Sequence, residues 1–364
     1  MKKAVCYISP RSVHSYRWIE AFHQKGYDVS FISDFPTWLA PRPQGVPTYV
    51  LPALNIHNVQ RRLVPNALSI TRILKKLAPD FVHIHTQHHY APFVTISRIP
   101  FILTSWGLEV LMLPRMNFFR KALANYVAME ARKITVDAEC LKQIWVSMGV
   151  PEQKIEVIPF GVDTNLFNTH VTGQSIRKIL GIAKDDIAII STRSFFPHYN
   201  VECLIKAAKL IVKEHSNVKF IIKGGGPLKE YIKGLAQKLD IAQYMRFVNV
   251  IPYHEIPRYL AAADIYVSTS FIDSTSVSLL EAMACGLPPI TTDIAGNREW
   301  IRNGFNGLLY PPKDYGTLAE KIAHLVEDQD LRKQFGESSN QIIVERAAWE
   351  KCVSQMEAVY QSLA

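Results

Sequence analysis

The sequence predicts an α/β protein with two parallel sheets, each covered by helices on both faces. At 364 residues the chain is long enough to form two hydrophobic cores. Short runs of β-branched and aromatic residues alternate with helix-length segments through both halves, which is the pattern of a parallel sheet. Residues 168–175 form a polar stretch with a glycine, as expected for a linker between the halves.

The first half contains six strand-like runs separated by segments compatible with helices. Two of these helical segments end at a glycine, residues 15–25 at Gly26 and residues 140–148 at Gly149. The predicted strands of the first half are residues 5–9, 29–33, 81–85, 101–104, 134–136 and 155–158.

The second half repeats this alternation and ends in an amphipathic segment, residues 348–360, which predicts a helix. Ligands of parallel sheets bind at the carboxyl ends of the strands, so functional residues are expected in the loops that follow them. The predicted strands of the second half are residues 187–192, 218–223, 245–248, 264–269, 289–292 and 307–309.

Composition indicates an intracellular, water-soluble protein. No apolar run approaches the length of a transmembrane helix, and the first residues lead directly into a strand rather than a signal peptide. The five cysteines are scattered and show no metal-binding spacing, which favours a reducing compartment and predicts a cytoplasmic protein. They are Cys6, Cys140, Cys203, Cys285 and Cys352.

Positive charge is concentrated in the first half. Residues 1–165 contain 19 Lys and Arg against 11 Asp and Glu, whereas the whole chain contains 41 against 32. A basic half favours an anionic acceptor or the anionic surface of a membrane. A solvated basic face without a partner explains the surplus as well. No nucleic-acid partner is expected, because no DNA- or RNA-binding motif is present.

The segment from Asp273 to Gly286 carries two acids across a predicted loop-to-helix junction. Thr275 or Ser276 offers a capping hydroxyl for a helix that begins at Val277, and Gly286 stands where a glycine ends helices. The N-terminus of such a helix attracts phosphate. With carboxylates nearby to hold sugar hydroxyls, this predicts a nucleotide-sugar site. The alternative is a surface acid followed by a capped core helix.

This segment resembles the two-acid motif of the retaining glycosyltransferases of family 4, which adopt the GT-B fold. Glu281 matches the second acid, and Asp273 stands where the family has a glutamate. The sequence that follows, residues 295–301 and 303–312, is similar to the family as well. So is the segment 159–167, which resembles the family's connection between domains.

The resemblance implies two Rossmann-like domains that face a cleft, with a C-terminal helix that crosses back to the first domain. The implied domains are an acceptor domain, residues 1–167, a nucleotide-sugar donor domain, residues 176–345, and the C-terminal helix, residues 346–364.

For the donor, the resemblance assigns catalytic roles to Asp273, which would hold hydroxyls of the donor sugar, and to Glu281, which would hold the ribose. Arg193 matches the family arginine that contacts the diphosphate. The planar guanidinium of an arginine is well suited to bind phosphate oxygens. The family lysine that usually follows is absent, and His198 or Lys223 would replace its charge. The remaining donor-binding residues implied are Gly224, Gly225, Arg246, Thr275, Ser276 and Val277.

For the acceptor, the resemblance implies a cleft lined by residues after the first strands. His85 matches a cleft-lining histidine, and Trp106 stands where the family has a histidine near the reacting centre. A tryptophan stacks on sugars but cannot accept a proton, so no general base is assigned. The expected acceptor residues are Arg11, His14, His85, Trp106 and Glu109.

A run of histidines, residues 83–89, also raises the question of a metal. His83 and His85 would share one face of a strand, but no Cys, Asp or Glu lies within the run to complete a site. Family 4 enzymes need no metal, so neither a metal nor another cofactor is expected.

The implied reaction moves a sugar from a nucleoside-diphosphate sugar to a glycan or lipid-linked acceptor with retained configuration, in polysaccharide, lipopolysaccharide or glycolipid synthesis. A UDP-sugar is the favoured donor, and a GDP-sugar is the alternative. Two other functions stay open at this point: a nucleotide-sugar-binding protein that has lost activity, and a GT-B sugar-nucleotide epimerase. Residues 111–121 mix bulky apolar and basic residues, which suits either lipid headgroups at the inner face of the cytoplasmic membrane or core packing.

Overall fold

The computed structural model describes residues 3–10, 12–33, 43–51, 59–85 and 90–363. The chain divides into two compact units, one made of Met1–Pro159 with Val353–Ala364 and the other of Phe160–Cys352. Each unit contains one fully parallel sheet with helices, which confirms the predicted fold class.

The sheet of the first unit has seven strands: β1 (Ala4–Ile8), β2 (Asp28–Ser33), β3 (Thr48–Val50), β4 (Phe81–His85), β5 (Phe101–Ser105), β6 (Lys133–Val136) and β7 (Ile155–Val157). Their order is β3-β2-β1-β4-β5-β6-β7. All but β3 were predicted. β3 is a three-residue edge strand with no fully buried side chain, so it lacks the apolar pattern that identifies the others.

The helices of the first unit are α1 (Val13–Gln24), α2 (Val59–Leu77), α3 (Ala91–Ser97), α4 (Leu108–Leu111), α5 (Phe118–Glu130) and α6 (Glu139–Ser147). Ser12 caps α1 by accepting a hydrogen bond from the backbone N–H of Ser15. Gly26 follows the helix at φ +82°, as predicted from its place in the sequence.

The sheet of the second unit has six strands: β8 (Ile187–Ser191), β9 (Val218–Lys223), β10 (Met245–Val248), β11 (Ile265–Ser268), β12 (Pro289–Thr292) and β13 (Leu308–Tyr310). Their order is β10-β9-β8-β11-β12-β13. Side chains of each strand alternate between two apolar clusters, one on each face. Ile189 belongs to one cluster, and Ala188 and Ile190 belong to the other.

The remaining helices are α7 (Gln174–Ile179), α8 (Val201–Ile211), α9 (Lys229–Lys238), α10 (Ile256–Leu260), α11 (Val277–Ala284), α12 (Ala295–Arg298), α13 (Tyr315–Glu327), α14 (Gln329–Arg346) and α15 (Trp349–Gln361). Residues 353–361 of α15 belong to the first unit. Within the described part of the chain, each helix is too short or too polar to cross a lipid bilayer.

Candidate functional site

Both sheets reverse their strand order beside their first strand, between β1 and β4 in one unit and between β8 and β11 in the other. In open parallel sheets, ligands bind at the carboxyl ends of the strands at such a reversal. Arg193 follows β8, and the segment from Asp273 to Ser276 follows β11. His85 ends β4. The predicted donor and acceptor residues therefore include side chains at both reversals.

The helix predicted after Ser276 is present with the predicted bounds. Ser276 is the N-cap of α11, and its hydroxyl accepts a hydrogen bond from the backbone N–H of Leu279 at 3.4 Å. Thr275, the alternative capping residue, instead accepts a hydrogen bond from the indole N–H of Trp300 at 3.3 Å. Gly286 follows the helix at φ +75°. The capping is thus assigned to Ser276, and Thr275 anchors the loop before it.

Arg193 gathers the polar side chains at this helix end. Its Nη2 donates to Oδ2 of Asp273 at 2.5 Å, and its Nη1 donates to the hydroxyls of Ser276 at 2.5 Å and Ser278 at 2.9 Å. The guanidinium also lies over the ring of Tyr199, 4.0 Å from its centroid. These five residues are called the Arg193 cluster below. Neither Ser278, which lies between the two acids of the motif, nor Tyr199, which lies outside the motif, was predicted to contribute.

Arg193 is a buried, permanently charged residue, and one of its N–H donors has no hydrogen-bond partner among the described residues. Arg193 is only 8% exposed, and burial by itself would lower its pKa, but the carboxylate of Asp273 and the neighbouring phenols outweigh this and raise the pKa above its usual value. Its Nε has no hydrogen-bond partner among the described residues. A cation with an unused N–H at a helix N-terminus is suited to bind an anion.

Glu281, the second predicted acid, lies within α11 and is 4% exposed. Its charge acts on Lys223, at the carboxyl end of β9: burial lowers the pKa of Lys223, and the carboxylate of Glu281 opposes that shift. The two predicted acids thus have different electrostatic neighbours, Arg193 for Asp273 and Lys223 for Glu281.

His198 lies close enough to the Arg193 cluster to be affected by its charges. Burial and the charge of Arg193 lower the pKa of His198 below that of free histidine, and Asp273 only partly opposes them. The imidazole is therefore neutral at pH 7 and adds no positive charge. Of the two residues expected to replace the family lysine, Lys223 is the one with a cationic side chain there.

The glycine turn after β9 packs against the loop that carries Arg193. A Cβ on Gly224 would lie 2.6 Å from the carbonyl oxygen of Arg193, so this position requires glycine. The carbonyl of Gly225 accepts a hydrogen bond from the N–H of Phe195 at 2.8 Å. The turn thus helps to position Arg193.

Arg246 is not brought to the other predicted donor residues. Its Nε donates to the carbonyl of Leu180 at 2.5 Å and its Nη1 to that of Gln243 at 2.7 Å. These carbonyls precede β8 and β10, so the guanidinium lies toward the amino ends of the strands. These hydrogen bonds connect the segment that precedes β8 to the segment that precedes β10.

In the first unit, three predicted acceptor residues lie together. The ring of Trp106 is 4.6 Å from that of His85 and 6.3 Å from that of His14. Glu109 is buried, and its Oε1 accepts a hydrogen bond from the backbone N–H of Trp106 at 3.2 Å, which holds the start of α4. Arg11 lies outside the described residues.

His85 is buried and His14 is half-buried, and both are neutral at pH 7. Burial lowers the pKa of His85 to about 3, and burial together with Arg17 lowers that of His14 to about 4. Neither ring nitrogen of His85 has a hydrogen-bond partner among the described residues. With such low pKa values, both are weak proton acceptors at neutral pH.

His83, two residues earlier on β4, has partners at both ring nitrogens. Nδ1 contacts the hydroxyl of Tyr360 at 2.5 Å, and Nε2 contacts that of Thr104 at 2.5 Å. The chain of contacts extends at 2.5 Å from Tyr360 to Tyr7 and from Thr104 to Thr135. These five residues are called the His83 network below.

A metal site at the histidine run receives no support from the described geometry. The described residues contain no group of three or more His, Cys, Asp or Glu that could hold a metal ion. His83 uses both ring nitrogens within its network. His88 and His89 lie outside the described residues.

Two family profiles match the chain, one in each half. Residues 12–166 match Glycosyltransferase Family 4, and residues 173–341 match Glycosyl transferases group 1. The N-acetyl-alpha-D-glucosaminyl L-malate synthase of Bacillus anthracis is 26% identical over 290 residues, which is 77% of this chain and 74% of that protein. The UDP-Gal:alpha-D-GlcNAc-diphosphoundecaprenol alpha-1,3-galactosyltransferase of Escherichia coli is 26% identical over 275 residues, 75% of this chain and 67% of that protein.

The chain is a family 4-like glycosyltransferase. Another relative, an uncharacterized glycosyltransferase of Methanocaldococcus jannaschii, is 23% identical over 231 residues, 63% of this chain but only 59% of that relative's length.

The fold of this glycosyltransferase is GT-B. The crystal structure of HepE from Anabaena in complex with UDP and glucose superposes with a TM-score of 0.84 at 18% identity, and covers 99% of this chain and 100% of HepE. At this identity the likeness establishes the fold and leaves the chemistry to the residues of each protein.

The second half of the glycosyltransferase motif, residues 295–312, supports the loop before α11. A Cβ on Gly296 would lie 1.8 Å from the carbonyl oxygen of Ser274, so only glycine lets α12 approach that loop. Asn306 is fully buried, and its amide donates to the carbonyl of Trp300 at 2.9 Å, while Trp300 donates to Thr275. These residues hold the backbone that carries Asp273 and Ser276.

Proposed function

We propose that this glycosyltransferase moves a sugar from a nucleoside-diphosphate sugar to an acceptor hydroxyl and retains the anomeric configuration. A UDP-sugar is the favoured donor, with a GDP-sugar as the alternative. The observation that carries the proposal is the Arg193 cluster, in which a buried cation with an unpaired N–H lies at the N-terminus of α11 and the carboxyl end of β8. The GT-B relative HepE, solved with UDP and glucose, supports the choice of nucleotide.

The diphosphate would lie against Arg193 and the first N–H groups of α11. As the bond between the sugar and the diphosphate breaks, negative charge builds on the leaving oxygen, and a fixed positive group stabilises it without reorganising. Asp273 contacts the guanidinium at 2.5 Å and would accept hydrogen bonds from hydroxyls of the donor sugar. Glu281 would accept from the ribose.

Positive charge at this site comes from protein groups. Arg193 keeps its charge at any physiological pH, and Lys223 lies within the electrostatic reach of Glu281. With the helix N-terminus, these groups suit a doubly charged leaving group. We therefore propose that the transfer requires neither a metal ion nor another cofactor.

The acceptor would be a glycan or a lipid-linked glycan bound by residues of the first unit. Trp106 would stack on a sugar face, beside the neutral rings of His85 and His14. Arg11 and Glu109 complete the proposed acceptor residues. The relative from Escherichia coli acts on a diphosphoundecaprenol acceptor, which supports a role in polysaccharide, lipopolysaccharide or glycolipid synthesis.

The first test is thermal unfolding of the purified chain with UDP, GDP, ADP and CMP. A ligand that binds only the folded state at a hundred times its Kd adds about 2.7 kcal/mol to the free energy of unfolding. We expect UDP to stabilise the chain selectively and Glu281→Ala to lose this effect. Glu337→Ala is the matched control, because Glu337 lies in α14 and its side chain is 71% exposed.

In the second test, nucleotide sugars of the base that stabilises the chain are incubated with lipid-linked and glycan acceptors. NMR then determines the anomeric configuration of the product. Transfer with retention is expected. No stabilisation by any nucleotide would contradict the donor site. Stabilisation without turnover would instead indicate a binding protein, and conversion of the donor sugar without an acceptor would indicate an epimerase.

A further inference from the structure

Helix α5 turns its largest apolar side chains toward solvent. Phe118 and Phe119 are 77% and 82% exposed, and Leu123, Tyr126 and Met129 are between 43% and 51% exposed. Residues 119, 123 and 126 recur at the spacing of one helical face, so these side chains form a continuous stripe. The five residues are called the α5 stripe below. At 13 residues, the helix is about 20 Å long.

The core-facing side of the same helix is made of small residues. Val127 and Ala128 are buried, and Ala124 packs against the core of the first unit. The helix thus reverses the usual arrangement, in which large apolar side chains pack inward and polar ones face water. Burial in the protein core therefore does not explain the phenylalanines.

Outside α5, the large exposed apolar residues that the structure describes are single residues on different helices, strands and loops. In the second unit they include Ile179 on α7, Tyr231 on α9 and Val344 on α14. Scattered residues of this kind are normal on a soluble protein, whereas a contiguous patch marks an interaction surface.

Basic residues flank the α5 stripe at both ends. Between Glu109 and Glu130 the sequence contains no acid and three bases, Arg115, Arg120 and Lys121. Beyond the other end of the helix, Arg98 and Arg132 line a pocket of about 460 Å³ that they share with Met129, and Glu130 lines it too.

We propose that the α5 stripe docks on an anionic lipid bilayer. Aromatic and aliphatic side chains would enter the interfacial region, while the flanking arginines and lysine contact lipid phosphates. A second copy of this chain would place these basic flanks against each other, whereas an anionic bilayer matches both the charge and the apolar stripe. The role of this docking rests on the proposed function, because docking would bring the enzyme to a lipid-linked acceptor.

The test is co-sedimentation of the full chain with vesicles of phosphatidylcholine and phosphatidylglycerol in equal parts, and with vesicles of phosphatidylcholine alone. We expect binding to the anionic vesicles that weakens with salt. The double variant Phe118→Ser with Phe119→Ser should bind at least about tenfold more weakly. Arg120→Gln with Lys121→Gln should lose about thirtyfold, since each basic residue near the surface contributes about 1 kcal/mol.

Ile179→Ser is the control, because Ile179 is 71% exposed but lies on α7 of the second unit. It should bind vesicles like the parent chain. Equal binding by the phenylalanine variant and the parent, or no binding by the parent, would overturn the proposal. So would a dimer of the parent chain in light scattering that the phenylalanine variant abolishes.

Nucleotide binding is measured separately on the same variants. The phenylalanine variant should show the parental thermal shift with UDP, because its substitutions lie outside the proposed donor residues. Vesicle binding by a chain that no nucleotide stabilises would uphold the surface and contradict the proposed function. The reverse pattern would contradict the surface alone.

Discussion

The His83 network and the Arg193 cluster are both polar and centred on a buried side chain, but their donors and acceptors are hydrogen-bonded to different degrees. In the His83 network, both ring nitrogens of His83 and the hydroxyl of Tyr360 contact other members. In the Arg193 cluster, Nε of Arg193 is left without a partner among the described residues. Since buried donors without a partner are costly, an unpaired donor at a strand's carboxyl end favours a ligand site, whereas a fully hydrogen-bonded network favours a structural role.

The same contrast occurs within a single strand. His83 and His85 share one face of β4, and both are almost fully buried. His83 is hydrogen-bonded at both nitrogens, while neither nitrogen of His85 has a hydrogen-bond partner in the described part of the chain, and its ring contacts those of His83 and Trp106. The two residues are of the same type and lie on the same strand, so only their hydrogen-bond partners distinguish them.

The largest expected effect comes from breaking the open cluster. Arg193→Ala removes the cation that would stabilise the leaving diphosphate, and we expect transfer to slow by about 10²–10³-fold. Initial rates with the preferred UDP-sugar measure this. Arg193→Lys keeps a positive charge but loses the planar guanidinium, so its transfer rate should lie between those of Arg193→Ala and the parent.

Arg298→Ala is the matched control for that change. Arg298 pairs with Asp293 at 2.5 Å on an exposed surface, so its removal should leave the rate unchanged. A parental rate for a folded Arg193→Ala variant would remove the Arg193 cluster from the mechanism.

A smaller effect is expected from opening the closed network. Tyr360→Phe leaves His83 and Tyr7 without their shared hydroxyl, and should lower the free energy of unfolding by about 1–3 kcal/mol. Urea titration measures the loss, and UDP binding should be unaffected. Tyr126→Phe, on the exposed face of α5, should unfold like the parent. Equal stability of the two variants would show that the network contributes nothing.

The third effect is a dependence of stability on pH that comes from His85, the neighbour of the His83 network on β4. The folded pKa of His85 is about 3, below the 6.5 of free histidine, so between these values only the unfolded chain takes up the proton. Stability therefore decreases as the pH falls through 6.5, by up to about 1.4 kcal/mol per pH unit for one histidine. Arg193, with its raised pKa, keeps its charge throughout.

His85→Gln should flatten this dependence by up to that amount in urea titrations across the acid range. His254→Gln is the control, because the side chain of His254 is 71% exposed. If His85→Gln and the parent lost stability in parallel, the burial of a neutral imidazole at this position would be refuted.

Much of the fold follows from local signals. Six strands of each half were predicted, because each is marked by a local run of apolar, β-branched residues and by glycines that end the neighbouring helices. The bounds of α11 and its N-cap choices followed from Ser276 and Gly286 in the same way. β3 was missed, since a three-residue edge strand buries too little to leave a pattern.

The candidate site was less accessible to sequence reasoning. Asp273, Glu281 and Arg193 were found because a motif and a strand end mark them. Arg246 was grouped with them, yet its guanidinium contacts backbone near the amino ends of strands. No local sequence signal distinguishes an arginine whose donors bind backbone carbonyls, such as Arg246, from one that keeps an unpaired donor, such as Arg193.

The sequence by itself determined the α/β alternation, the two parallel sheets and the capped start of α11, because each depends on neighbouring residues. Tertiary structure decided which polar groups find partners. Tyr360 reaches His83 across 277 positions, and Arg193 reaches Asp273 across 80. It also turned the phenylalanines of α5 outward. Burial and partner choice are set by packing between distant segments, which spacing along the chain does not encode.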